Sequence, residues 1–158
     1  MIRDLLIRLH GHQTEILDIV DRAETMLGGS RDVAGLSRIR WVLVRVMGRY
    51  QIFKHSEVLD PLIARGSPLD AQRATRMKEA CLAPGEAFHE HVRRWSASDV
   101  DAEWTVFQPA AQMMMGRIRA HIAREQAEID ALLARQPGPI RPPPASARRP
   151  PDRPTPAG

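Results

Sequence analysis

At 158 residues with 43% apolar side chains, the chain has material for one globular domain with a buried core. Aromatic residues make up only 4%, no segment alternates β-branched and polar residues at period two, and no run of 18 apolar residues occurs, so β architectures and a membrane-spanning helix are excluded and an all-α protein is expected. The formal charge of +4 is concentrated at the C-terminal end, where Arg141, Arg148, Arg149 and Arg153 stand against Asp152, leaving residues 1–135 nearly neutral and nucleic-acid binding disfavoured.

The first helix is expected over about Ile2 to Leu27, stopped by Gly28-Gly29. Charges interrupt MIRDLLIRLHGHQTEIL too early for a secretory signal, which points to the cytoplasm. Two overlapping faces are available: Leu5, Leu9, His12, Ile16 and Ile19, or Leu6, Leu9, Gln13, Ile16 and Val20, so either His12 or Gln13 lies inward. The second helix runs from about Gly35 to Ala64. Its face Trp41, Val44, Gly48, Gln51, His55, Val58 and Leu62 turns Gln51 and His55 inward. The third opens at Ser67-Pro68-Leu69-Asp70, with Ser67 as cap and Pro68 in the first turn, and reaches about Trp95 with a kink or interruption at Pro84-Gly85. Its Cys81, the one cysteine, excludes an internal disulfide and reads as a small core residue. His89 and His91, two residues apart and remote from the other polar positions, are expected to face solvent, as is His10.

The fourth helix is expected from near Ser98 to about Arg135, with Pro109 in or just before its first regular turns. Phe107, Ala111, Met114, Ile118, His121, Glu125, Ile129 and Leu132 form one continuous face of it. In the run Met113-Met114-Met115 at least one residue must point away from the core, and core filling accounts for most of it. Short connections make sequential helices antiparallel, so the expected architecture is an up-down-up-down four-helix bundle over residues 1–135. Residues 136–158 hold nine of the thirteen prolines and are expected to be a disordered Pro/Arg-rich tail of polyproline II character, with a PxxP spacing suited to a proline-recognising partner.

The stretch HIAREQAEIDALL, residues 121–133, places His121 and Glu125 in the middle of the apolar stripe. An unpartnered carboxylate there would cost several kcal/mol, so a metal ion or a hydrogen-bonded histidine or arginine is expected to satisfy it. HIAREQAEIDALL, together with FKHSEVLDPLI at 53–63, resembles the hemerythrin-like HHE cation-binding family over residues 3–134. That resemblance implies a four-helix bundle holding a non-haem di-iron site with ligands from every helix. Counting back from Pro61, Gln51 stands at the family's second-helix histidine and His55 at its carboxylate; His12 or Gln13 stands at the first-helix histidine, and Ala80 or Cys81 at the third.

The ligands implied are therefore His12, His55, His121 and Glu125, enough for one iron, zinc or manganese ion and short of carboxylates for two. The implied function is an iron protein that senses or carries O2 or NO, or senses redox state. The alternative is a metal-free regulatory or scaffolding bundle acting through protein contacts, in which His55 and His121 pair with Glu125 and Gln51. No activated serine, cysteine or paired carboxylate is visible, so an enzyme is not expected.

Overall fold

The computed structural model describes residues 1–136, and every regular element among them is a helix. The expected proline-rich tail lies outside the described residues, apart from Gln136. Helix α1 spans Ile2–Gly28 and ends at the Gly28-Gly29 pair. Helix α2, Val33–Phe53, starts where the Asp32 carboxylate accepts the Gly35 N–H at 2.9 Å. It continues through a π-helical turn, Lys54–Leu59, into α3, Asp60–Arg65. Helix α4, Pro68–Ala80, is capped by Ser67, whose hydroxyl accepts the Asp70 N–H at 3.2 Å, and α5, Leu82–Ser96, follows after a break at Cys81. Helix α6 runs from Trp104 to Ala134.

Prolines explain both internal irregularities. Pro61 has no N–H for the Glu57 carbonyl, and its ring would crowd that oxygen in a regular helix. The preceding turn widens instead, and the Asp60 N–H reaches back five residues to the His55 carbonyl. Pro84 stands in the same relation to Ala80, and the chain breaks there, at Cys81, upstream of the Pro84-Gly85 pair itself. The fourth helix starts later than expected. Ser98 donates its hydroxyl to the Arg94 carbonyl at 2.8 Å and so closes α5, while the Asp99 carboxylate accepts the Ala102 N–H in a short turn before α6.

Helix α1 packs against α2 and α6, α5 against α6, and α3 against α4. Their shared core includes Leu9, Ile16, Val20, Val46, Trp95, Phe107, Ile122 and Ile129, where each large aliphatic or aromatic side chain contributes about 1.5–3 kcal/mol. The whole predicted face of α6 is buried. Met114 and Met115 fill the core, and Met113 alone of the methionine run is exposed.

The predicted face of α2 is out of register. Its buried residues are Gly35, Leu36, Leu43, Val46, Tyr50 and Phe53, followed by Lys54, whereas Trp41 and Gly48 are exposed and Gln51 and His55 only half-buried. The π turn is the cause. It holds one residue more than an α turn, so a pattern projected backward from Val58 and Leu62 at α spacing lands one residue, roughly 100° of rotation, off the true face. No helix among the described residues is long and apolar enough to cross a membrane.

Candidate functional site

Glu125, 4% exposed in the middle of α6, is the centre of a buried polar cluster drawn from α1, α2, the π turn, the α4–α5 break and α6. Its Oε1 accepts from the Lys54 ammonium at 2.5 Å and from the Cys81 thiol at 2.9 Å, and lies 2.9 Å from His121 Nε2 one turn earlier. Its Oε2 accepts the Tyr50 hydroxyl at 2.6 Å, and that hydroxyl accepts in turn from the Gln13 amide at 3.2 Å. Lys54 also donates to Cys81 Sγ at 3.2 Å, and its Nζ lies 5.0 Å from the centre of the Tyr50 ring.

Local chain geometry puts each group there. Gln13 continues the apolar stripe of α1 between Leu9 and Ile16. Tyr50 and Lys54 are four residues apart on the inner face of α2, with Lys54 opening the π turn. Cys81 occupies the break between α4 and α5, and His121 and Glu125 share the inner face of α6. Lys54 is 0% exposed, a burial that a charged lysine adopts only when paired.

The electrostatics match this geometry. Burial alone would raise the Glu125 pKa, but the hydrogen bond from His121, the Lys54 charge and the Cys81 thiol outweigh it and hold the carboxyl far below its usual range. Burial, reinforced by the Glu125 charge, raises the Tyr50 hydroxyl above its ordinary value. Burial and Glu125 push the Cys81 thiol up to about 11 against the pull of Lys54, so Cys81 is a neutral S–H donor at physiological pH. Glu125 is thus held as a carboxylate facing the Lys54 side chain.

Of the four residues expected to ligate metal, the structure brings together His121 and Glu125 and leaves the other two aside. His12 is half-buried on the flank of α1, its ring 4.8 Å from that of Phe53, because Gln13 takes the inward position. His55 follows Lys54 in the π turn and is half-buried, its Nε2 enclosed without a hydrogen-bond partner and its pKa lowered by burial and then by the Lys54 and Lys78 charges. Neither His55 nor Gln51 pairs with Glu125; Tyr50 and Lys54, one residue earlier, do.

Tyr50 and Lys54 were not expected from the sequence, and Cys81, placed near the site by the resemblance, was read there as a small core residue rather than as a hydrogen-bonding member. The signal for the first two was Pro61, whose disturbance of the preceding turn moves the inner face back by one residue. Cys81, expected in the apolar core, is enclosed but hydrogen-bonded to two charged groups. Among the solvent-facing assignments, His89 is exposed. His10 is half-buried with its Nε2 2.9 Å from Asp130, and His91 is half-buried edge-on to Trp95, its pKa lowered to about 4 by burial and then by Arg40 and Arg94.

Among the described residues, Cys81, His121 and Glu125 form a group whose potential ligand atoms lie within 4.8 Å of one another. Two irons do not fit it, because Glu125 is its single carboxylate. One ion would have to share the Glu125 oxygen with the Lys54 ammonium, 2.5 Å from that oxygen and also in reach of Cys81, and two cations at one buried carboxylate oxygen repel. Lys54 thus competes with an ion for two of the three donors, Glu125 and Cys81. Compared with family models, with curated proteins and with solved structures, the chain finds no match.

Proposed function

We propose that this chain is a metal-free helical bundle of regulatory or scaffolding kind, acting through contacts with another protein, with the Lys54 ammonium as its interior cation. The observation that carries the reading is the enclosed Lys54 Nζ, 2.5 Å from Glu125 Oε1 and 3.2 Å from Cys81 Sγ, so that it occupies two of the three potential metal donors. A network in which every strong charge is paired has no electrostatic need of a metal. The up-down-up-down arrangement belongs to the same reading. It is supported by the contacts His10 to Asp130, Asp21 to Arg119 and Leu27 to Gln108, which climb α1 as they descend α6, and by Gln13 to Tyr50 and Arg8 to Glu57 between α1 and the second rod. Support for partner contacts comes from Trp41 and Ile52, 49% and 72% exposed, which share the outer side of α2 with Val44 and Gly48.

A second reading keeps the hemerythrin-like resemblance and a single iron. It is supported by the convergence of Cys81, His121 and Glu125, which would be the residues holding the ion once Lys54 had withdrawn; His12 and His55 would take no part. Bound iron would supply diatomic-ligand binding or redox sensing. The two readings separate on one preparation. Protein expressed in iron- and zinc-replete medium is expected to contain well below one metal per chain, and its thermal midpoint should not move with chelator. Stoichiometric metal, with a midpoint that falls on chelation and returns on reloading, would overturn the metal-free reading and favour the second.

A further inference from the structure

A cleft of about 440 Å³ lies between α2, α5 and α6 and borders the Glu125 cluster at His121. Met47 from α2, Phe88 from α5, and Met114 and Ile118 from α6 make its apolar walls. The α5 side begins with the small or compact residues at 83–85 that follow the break at Cys81, and a Cβ built on Gly85 would meet no atom within 4 Å, so the cleft is open there. Its size and largely apolar lining are those of a small-molecule site.

The polar groups of the cleft are one-sided. Arg117 and Arg124, both exposed and two turns apart on α6, flank His121, and Gln51 offers an amide from α2. No aspartate or glutamate lines the cleft, and among the described residues neither arginine is in an ion pair. Arg119, on the neighbouring side of the same helix, is by contrast occupied by Asp21 at 2.5 Å and Glu24 at 3.0 Å. About 10 Å separates residues 117 and 124 along the axis, a span two guanidinium side chains can close from either end. Two free guanidinium groups at the mouth of an apolar cavity attract a planar anion.

We propose that this cleft binds a small organic anion with an apolar body, a medium-chain or aromatic carboxylic acid, with the carboxylate held between Arg117 and Arg124 and the body against Met47, Phe88, Met114 and Ile118. The chain's own C-terminal stretch is the wrong occupant by charge, since Arg141, Arg148, Arg149 and Arg153 outnumber Asp152. Neither guanidinium takes part in the Glu125 cluster; His121 is the residue the cleft and the cluster share, and chelator in the buffer keeps the anion test separate from metal binding.

The test is titration of the full chain with decanoate in chelator-containing buffer, followed by calorimetry and by NMR of the aromatic and methionine signals. Decanol, decyltrimethylammonium and phosphatidylglycerol vesicles serve as comparators. Saturable one-to-one binding of decanoate is expected, roughly tenfold tighter than either uncharged or cationic comparator, with shifts at Phe88 and Met114. The double change R117Q/R124Q, on exposed positions that leave the fold intact by circular dichroism, should weaken decanoate roughly tenfold and leave decanol within about twofold. Absence of saturation, equal binding of decanol, an unaltered affinity in the double variant, or binding to vesicles without binding of monomeric decanoate would each overturn the proposal.

Discussion

Removing one member of the Lys54–Glu125 pair should cost very different amounts depending on which is removed. With Glu125→Gln, the Lys54 ammonium loses its countercharge and keeps only neutral neighbours, the amide oxygen, the Cys81 sulfur and the Tyr50 ring. A stranded ammonium can shed its proton instead, and at pH 7 a lysine of ordinary acidity pays about 4.6 kcal/mol to do so, which sets the scale of the loss. With Lys54→Met, the carboxylate retains three donors, Tyr50, Cys81 and His121, and its escape by protonation costs about 3.7 kcal/mol for an ordinary glutamate at pH 7.

The expected losses are therefore about 4–5 kcal/mol for Glu125→Gln and about 3 kcal/mol for Lys54→Met, large fractions of a typical domain stability. The double change should cost less than the sum of the two by about 2–3 kcal/mol, because neither charge is then left behind. Urea unfolding at pH 7 followed by circular dichroism measures all three from the midpoints at constant slope. Losses below about 1 kcal/mol for both single variants, or a double variant equal to their sum, would refute the buried ion pair.

Because the folded Glu125 carboxyl lies below its unfolded value, it contributes stability in full above about pH 5 and loses it as the pH falls through the acid range; an acid titration of stability should flatten below pH 5 in Glu125→Gln. Cys81 carries the opposite sign. With a folded pKa of about 11 its contribution is complete below the ordinary thiol value near 8.5 and is lost as the pH rises through 11, and at pH 8 its reaction with a thiol reagent should be at least about a hundredfold slower in native protein than in urea. His91, lowered to about 4, should still be neutral at pH 5.5 by NMR titration; it stabilises the fold above about pH 6.5 and withdraws that stabilisation as the pH falls toward 4, and a midpoint near 6.5 would show that the ring is solvated.

The legibility of the site varied helix by helix, for physical reasons. On α6 an uninterrupted 3.6-residue period carried His121 and Glu125 inward together with six apolar residues, and every one of the eight is buried. On α1 the same period supported two faces one residue apart, and packing chose Gln13, with Tyr50 as its partner. On the second rod the period itself changes at the π turn, so His55 was drawn inward on paper while Lys54 holds that place in the fold. Cys81 had no periodic signal at all, since it sits in the break that Pro84 imposes.

Composition, period and the positions of proline and glycine were enough to determine the all-helical class, four helical rods, their approximate ends and the inward pair His121 and Glu125, because each of these depends on residues within a few turns of one another. What satisfies Glu125 was decided only in three dimensions. A lysine on a helix is normally solvated, and no local pattern marks the one that is not. Lys54 is enclosed because Glu125, Tyr50 and Cys81, drawn from segments up to 71 residues away in sequence, meet around its ammonium.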